Sequence, residues 1–290
     1  MLNLLFNRRL SSWDVEFCVG RYPARLVPMS HRAVLGECWH NPEHDFSWLA
    51  QNLVDLIRGQ QADQKIPGDW ATIAVRISVL FGLFGEMMRE GYVSRERPID
   101  LSVVSGDFSG PMAAWYARQW GLPIANIICC CNENSTPWDL LHKGEVRTGQ
   151  VAVNTVTPEA DVTRPKGLER LIFACGGYGE THRYLEVCCK GGMYCPSDPV
   201  LRKLRKGMHV SVVSSIRMES AIPNVYRTNS RILGPYTALS YCGLLDYRAK
   251  TGESRYALIL SDRSPARDAD TVASAMRIST EQLINQINKT

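Results

Sequence analysis

The sequence predicts an α/β protein in which a mainly parallel, twisted sheet is flanked by helices. Residues 99–105 are apolar enough for a buried strand, residues 106–110 form a glycine-bearing turn, and residues 111–120 suit a helix that begins at Pro111. The apolar residues 124–131 follow as a second buried strand. Together these segments form a β-α-β unit, and such units are typical of a parallel sheet covered by helices.

The remaining elements are predicted from hydrophobic periodicity and from glycine and proline breaks. Residues 155–161 have the composition of a loop. We expect helices at residues 45–58 and 70–89, from residue 167, at 198–206 and 236–248, and from residue 271, and strands at 210–213 and 256–260.

Composition excludes several classes of protein. The net charge of +4 comes from 33 basic and 29 acidic residues spread along the chain, which disfavours a dedicated nucleic-acid binder. The most apolar stretch, residues 71–88, is interrupted by Arg76 and Glu86, so no membrane span is expected. The amino terminus lacks the charge order of a secretory signal, which predicts a cytoplasmic protein with its ten cysteines reduced. Targeting to an organelle is the minor alternative.

Domain organisation is predicted to be simple. Residues 45–290 form one α/β domain, and residues 1–44 are left as an unassigned amino-terminal segment whose short apolar pieces would suit the cover of an open sheet edge. Two groups of possible metal ligands are weaker candidates, because Pro42 disfavours a helix in the first and the second lacks a Cys-x-x-Cys pair. They are Cys38, His40 and His44, and His182, Cys188, Cys189 and Cys195.

The turn after the first predicted strand is the main candidate binding site. A glycine-bearing loop at the start of a helix exposes backbone N–H groups at the positive end of the helix dipole, where a phosphate can be held. The competing interpretation is an ordinary strand-to-helix connection, and Asp107 places a negative charge where the phosphate would lie. The candidate residues are Ser105, Gly106, Asp107, Phe108, Ser109 and Gly110.

Several segments, taken in order, resemble successive landmarks of the threonine synthase family. Residues 68–84 resemble the family's Asn-Ser-Ile-Asn-Trp-Ala-Arg helix through Trp70 and Ala71. Residues 103–110 resemble its Gly-Asn-Phe-Gly loop, and residues 121–124 its Gly-Leu-Pro-Ile turn. Because each match lies in the family's order, the set is more specific than any one of them.

Later segments continue the resemblance. Residues 131–134 are similar to the family's Thr-Asn-Glu-Asn-Asp, with Ser135 in place of the aspartate, and residues 161–173 resemble its Met-Asp-Ile…Asn-Phe-Glu-Arg stretch. Residues 234–238 resemble Asp-Pro-His-Thr-Ala, with Tyr236 in place of the histidine, and Ser-Pro-Ala-Arg at 264–267 resembles His-Pro-Ala-Lys.

The resemblance covers about residues 45–280 and implies the fold of the tryptophan-synthase-β type, fold type II of the pyridoxal-phosphate enzymes. It implies that the loop at residues 105–110 would bind the cofactor phosphate and that Thr237 would lie near the pyridine nitrogen. The substitutions at Asp107, Ser109, Ser135 and Tyr236 depart from the family pattern.

The family's cofactor lysine has no identifiable counterpart. Family members carry it in a Phe-Lys-Asp motif, followed by a Ser-Gly-Asp-Thr-Gly substrate loop, and neither motif occurs in this sequence. No catalytic residue is therefore assigned, and any bound pyridoxal phosphate is expected to be non-covalent. The eight lysines are Lys65, Lys143, Lys166, Lys190, Lys203, Lys206, Lys250 and Lys289.

Three functional hypotheses follow. The first is a divergent, non-catalytic threonine-synthase-like protein that acts as a binding or regulatory partner, with a homo-oligomer as one form. The second is half of a split enzyme, in which a complementary polypeptide of the amino-terminal half supplies the lysine and the pair converts O-phosphohomoserine to threonine and phosphate. The third is a divergent enzyme that binds a small phosphorylated ligand in the same cleft.

Overall fold

The computed structural model describes residues 25–38, 68–261 and 263–288. Within these residues, six strands form one sheet in the order β1-β2-β8-β3-β4-β7, and two short strands, β5 and β6, form a separate antiparallel pair. The strands are β1 Arg25–Met29, β2 Ala33–Glu37, β3 Ile99–Val104, β4 Ile124–Cys131, β5 Val146–Arg147, β6 Met193–Tyr194, β7 Met208–Val212 and β8 Ala257–Ser261.

Helices connect the strands and cover the sheet. The helices are α1 Gly68–Arg89, α2 Ser109–Gln119, α3 Gly167–Lys190, α4 Asp198–Arg205, α5 Ser215–Asn229, α6 Pro235–Thr251, α7 Ala269–Met276 and α8 Thr280–Ile287. Short helical turns follow β4 at Thr136–Trp138 and Asp139–Lys143, and α3 is interrupted at Gly177, where φ is 72°. Among the described helices, none is long and apolar enough to cross a bilayer.

The sheet is mainly parallel, as predicted. β8 lies parallel to both β2 and β3, and β4 lies parallel to both β3 and β7, whereas β1 and β2 form an antiparallel hairpin. That hairpin extends the edge of the sheet beside β8, which places residues 25–37 in the same sheet as the predicted domain. The pairing fits the expectation that apolar pieces before residue 45 cover a sheet edge.

The core has two parts, one on each face of the sheet. Alternate side chains of β4 enter opposite clusters, because successive residues of a strand point to opposite faces: Ile127 and Cys129 pack with α1–α4, and Ile128 and Cys130 with α5–α8. Cys129, Cys130 and Cys131 are fully or almost fully buried thiols, as expected for cysteines that serve as small hydrophobes.

The structure departs from the predicted elements in a few places. The single helix expected from residue 271 is two helices, α7 and α8, because Arg277 adopts φ 56° and Ser279 with Gln282 forms a capping box that starts α8. Helix α5 was not anticipated, and it carries Pro223 in its interior. The helix predicted at 45–58 lies outside the described residues.

Asp100 on β3 is a fully buried carboxylate with incomplete partners. Its Oδ1 accepts a hydrogen bond from Asn126 Nδ2 at 2.9 Å and lies 4.0 Å from Arg255 Nη1, whereas its Oδ2 has no hydrogen-bond partner among the described residues. Burial raises the pKa of Asp100 above its ordinary value, and the bond from Asn126 offsets this only in part. The ionised form is therefore less stable in the folded chain than in the unfolded chain.

We expect Asp100→Asn to stabilise the protein at pH 7.5 by about 1 kcal/mol. Since the folded pKa lies above the unfolded one, the cost of ionising Asp100 is absent at low pH and appears as the pH rises through the folded pKa. Urea unfolding at pH 7.5 and below pH 3.8 checks this, with the advantage of the variant confined to the higher pH. The exposed Glu90→Gln variant is the control. A wild type that is more stable than Asp100→Asn at pH 7.5 would contradict the prediction.

Candidate ligand-binding loop at the carboxyl end of the sheet

The loop between β3 and α2 turns sharply and is held by its own backbone. The Ser105 N–H donates to the Cys130 carbonyl at 2.8 Å, and the Phe108 N–H donates to the Ser105 carbonyl at 2.7 Å. Gly106 has φ 43° and Phe108 has φ 72°. A left-handed phenylalanine is unfavourable in isolation, so the complete burial of its side chain in the core must hold this conformation.

The loop is also fastened to the start of α3. The Gly167 N–H donates to the Asp107 carbonyl at 2.9 Å. A Cβ atom at Gly167 would lie 2.9 Å from both the carbonyl carbon and the carbonyl oxygen of Phe108, so a side chain there would push the two segments apart. Glycine at 167 therefore permits the close approach that fixes residues 105–110.

The loop offers donors for an anion but already carries one of its own. The N–H groups of Gly106, Asp107 and Gly110 donate to no acceptor within the described residues, and they lie at the start of α2. However, Asp107 Oδ1 accepts a hydrogen bond from the Ser109 N–H at 2.9 Å. A phosphate in this loop would have to displace or share space with that carboxylate.

Thr237 lies at the same end of the sheet, in the first turn of α6. Its Oγ1 is 2.9 Å from Ser261 Oγ, and the side chain is buried. Ser261 ends β8 as Val104 ends β3, and these strands are parallel neighbours, so their carboxyl ends meet at one edge. The hydroxyl of Thr237 is thus engaged by a side chain of the protein.

Tyr236, which stands where the family resemblance places histidine, is bound to the segment that covers the loop. Its hydroxyl accepts a hydrogen bond from the Glu159 N–H at 3.1 Å, and the Arg263 guanidinium lies 4.7 Å from its ring centre. Arg263 also forms an ion pair with Glu159 at 2.9 Å. Burial raises the pKa of Tyr236 to about 12, so the phenol is neutral at physiological pH.

Glu159 also lies next to the loop, since a Cβ atom at Gly106 would be 4.0 Å from the Glu159 carbonyl oxygen. The structure therefore brings together the loop at 105–110, Tyr236 and Arg263 around the segment that contains Glu159. Sequence reasoning assigned no role to Glu159 or Arg263, because an ion pair between residues so far apart leaves no local signal.

A polar network beside the loop joins two segments that the family resemblance had singled out. Asp161 Oδ1 accepts from Asn132 Nδ2 at 2.7 Å and from Asn134 Nδ2 at 3.0 Å. It also accepts from Thr155 Oγ1 at 2.6 Å, and Asp161 Oδ2 accepts from the Thr155 N–H at 2.9 Å. Asn132 and Asn134 are buried, so this network fixes the path of residues 153–161 past the end of β4.

Glu133, between the two asparagines, has a separate task. Its Oε1 accepts from the Ser215 N–H at 2.8 Å, and its Oε2 lies 3.3 Å from Ser215 Oγ. The carboxylate thus satisfies an N–H at the start of α5, where a negative charge is favourable.

The described lysines all have exposed side chains. Lys143 pairs with Asp139 at 2.7 Å and Lys190 with Glu186 at 2.6 Å, and Lys203 donates to a backbone carbonyl. Lys65 and Lys289 lie outside the described residues. A cofactor held through a buried lysine therefore does not fit the described residues, although the loop amides would suit a phosphate that outcompetes Asp107.

The cysteine and histidine candidates form no metal cluster within the part of the chain that the structure describes. Cys38 is buried, and His40 and His44 lie outside that part. Cys188 is half-buried, and Cys189 and Cys195 are exposed free thiols.

Solved structures of threonine synthases share this fold. The fold matches the PLP-bound threonine synthase from Brucella melitensis with a TM-score of 0.77 and 16% identity, covering 95% of this chain and 79% of that chain. It matches threonine synthase from yeast with a TM-score of 0.68 and 21% identity, covering 82% and 52%. No protein-family model matches the chain.

The sequence is also similar to those of threonine synthases and of threonine synthase-like proteins. The chain is 26% identical to threonine synthase-like 1 of Macaca fascicularis over 176 residues, which is 59% of this chain and 24% of that protein. It is 24% identical to threonine synthase of Saccharomyces cerevisiae over 224 residues, 72% of this chain and 43% of that protein. The matches thus span about a quarter to less than half of the length of these relatives.

The fold is that of the pyridoxal-phosphate enzymes of fold type II, with a mostly parallel sheet between helices. In sequence, the chain is similar to the threonine synthases and to threonine synthase-like 1, at 24–26% identity.

Proposed function

We propose that this chain is a non-catalytic threonine-synthase-like protein, which keeps the fold and an anion-binding loop and acts as a binding or regulatory protein. The observation that carries the proposal is the hydrogen bond from the Ser109 N–H to the carboxylate of Asp107. In this conformation the loop supplies its own anion at the helix start, where the family resemblance expects a cofactor phosphate.

Two further observations support the proposal. The described lysines are exposed, and none lies in a buried pocket of the kind in which an imine is protected from water. Tyr236 is neutral and bound to the Glu159 backbone, so it cannot supply the acid–base group that a histidine would offer near pH 7.

Ligand binding at the loop is then weak and reversible. The N–H groups of Gly106, Asp107 and Gly110 remain for the phosphate of a small ligand, pyridoxal phosphate included, while Asp107 repels it. The buried hydroxyl of Thr237, engaged by Ser261, adds nothing to the ligand unless that bond breaks.

Asp107→Asn tests this account, because it removes the negative charge and keeps a side-chain oxygen that can accept from the Ser109 N–H. We expect the variant to bind pyridoxal phosphate about tenfold more tightly, as one charge removed at close range on the surface changes binding by about 1.4 kcal/mol. Calorimetric titration measures the affinity, with exposed Asp270→Asn as the matched control.

The same proteins are then given O-phosphohomoserine with pyridoxal phosphate, and phosphate release is followed. We expect none from either protein. An affinity for pyridoxal phosphate that is unchanged in Asp107→Asn would show that the Asp107 carboxylate does not oppose phosphate binding. Clear turnover by the wild-type chain alone would overturn the proposed function. Turnover only with an added polypeptide that carries Phe-Lys-Asp would favour the split-enzyme hypothesis instead.

A further inference from the structure

A groove of about 370 Å³ runs along β7, far from the loop at 105–110. It is lined from both faces of the sheet, by His142 and Arg205 on one side and by His209 of β7 with Tyr247 and Lys250 of α6 on the other. Lys250 is thirteen positions after Thr237 on α6, a distance of about 20 Å at the helical rise of about 1.5 Å per residue. The groove is therefore a separate site.

The strand at its base, β7, has backbone groups that pair with no other described strand. Among the described strands β7 pairs with β4 alone. That ladder starts at the Gly207 carbonyl and ends at the Val213 N–H. Because residues alternate direction along a strand, the N–H and carbonyl groups of Met208 and Val210 point away from β4. The groove thus presents backbone donors as well as side chains.

Two basic side chains on one wall are held in fixed positions. Arg205 donates from Nε to the Leu141 carbonyl at 2.6 Å and from Nη2 to the His142 carbonyl at 3.1 Å. The His142 ring stacks on Trp138 with centres 4.7 Å apart and 15° between the planes. A guanidinium and an imidazole anchored in this way lose little freedom when they bind an anion.

The other wall adds two basic groups with few partners. The ring of His209 lies 4.7 Å from that of Tyr247, and Lys250 forms no hydrogen bond or ion pair with the described residues. Among the described residues, no aspartate or glutamate lines the groove. Burial lowers the pKa of His209 and the charge of His142 lowers it further, while Asp100 and Glu253 raise it from outside the groove.

Apolar side chains complete the lining, among them Leu141, Met208 and Val210. A groove with four basic groups, free backbone amides and an apolar floor matches a small molecule that has an anionic head and an apolar body. Its volume lies within the range of about 300–1,000 Å³ that is usual for sites of small ligands.

We propose that this groove binds a small phosphate monoester with an apolar body, and that Lys250, His209, His142 and Arg205 hold its phosphate. The site goes beyond the proposed function and does not depend on it. Its position at the far end of α6 from Thr237 makes it a second ligand site on the same scaffold.

The test uses the full chain and phenyl phosphate, followed by the NMR signals of its histidine rings. We expect the His209 signals to shift with saturable binding and the pKa of His209 to rise, since a bound anion favours the imidazolium form. Inorganic phosphate should bind more weakly, because it lacks the apolar body. Lys250→Gln should weaken phenyl phosphate about tenfold, the effect of losing one charged partner worth about 1.4 kcal/mol.

Lys190→Gln on α3 is the matched control, because Lys190 is equally exposed but lies away from the groove. It should bind phenyl phosphate as the wild type does. His209 signals that do not move at millimolar phenyl phosphate would overturn the proposal, as would equal affinity in the wild type and Lys250→Gln. Phenyl phosphate bound at the loop of residues 105–110 would change neither the His209 signals nor the affinities that they report, because that loop contains no histidine.

Discussion

Gly243→Ala is expected to lower the free energy of unfolding by about 3 kcal/mol. Gly243 lies in the buried part of α6, which packs on β4, and a Cβ atom there would overlap Cys130 Sγ and lie 3.1 Å from Cys130 Cβ. Alanine normally favours a helix over glycine by about 1 kcal/mol. Here that gain is outweighed, because α6 must move off the sheet to make room.

The measurement is a double-mutant cycle with Cys130→Ala, followed by urea unfolding. Cys130→Ala removes the sulfur atom that the added Cβ atom would overlap. The cost of Gly243→Ala should therefore be about 2 kcal/mol smaller in the Cys130→Ala background than in the wild type. Gly85→Ala is the matched control: Gly85 is an exposed helical glycine in α1 with no atom within 4 Å of the added Cβ, and it should become slightly more stable. Equal stability of Gly243→Ala and wild type would show that α6 does not pack as described.

Asp161→Ala is expected to cost about 3 kcal/mol as well. Its carboxylate accepts hydrogen bonds from Asn132, Asn134 and Thr155, and the two asparagines are buried. Removing the acceptor leaves the Thr155 N–H without a partner among the described residues. The side-chain amides of Asn132 and Asn134 each lose one bond and keep those to Thr155, Thr157 and Val153. The path of residues 153–161 past the loop should loosen at the same time.

Unfolding in urea measures the stability, and limited proteolysis reports the loosening of residues 153–161. Glu90→Ala is the control, because Glu90 is exposed and its side chain forms no hydrogen bond or ion pair with the described residues. Asp161→Asn should fall between the two, since the amide keeps one acceptor but turns a donor toward other donors. An Asp161→Ala protein as stable as the control would contradict the network.

The fold was largely predictable where local signals are strong. The strand expected at 124–131 is β4 with the same bounds, and the helix expected at 70–89 is α1, because long buried runs and clear glycine breaks leave little choice. The hairpin of β1 and β2 was not predicted as strands, since its pairing with β8 joins residues more than two hundred positions apart. Helix α5 was hidden by Pro223.

The candidate loop was predicted from its glycines and from the family resemblance, and its position between β3 and α2 agrees with that prediction. Its role as a cofactor-binding site remains a prediction. The hydrogen bond from Ser109 to Asp107 and the ion pair of Glu159 with Arg263 could not be anticipated, because both depend on how the chain turns in three dimensions. The sequence showed the charge of Asp107 but not which N–H group it would occupy.

We propose that this chain does not hold pyridoxal phosphate on a lysine, and one measurement tests this proposal most directly. The purified chain is mixed with equimolar pyridoxal phosphate, its absorbance is recorded before and after borohydride reduction, and labelled peptides are mapped. We expect no more borohydride-sensitive absorbance than free pyridoxal phosphate gives, and labels that are scattered over the exposed lysines. A stoichiometric, reducible adduct at a single lysine would contradict the claim and identify the residue that carries the cofactor.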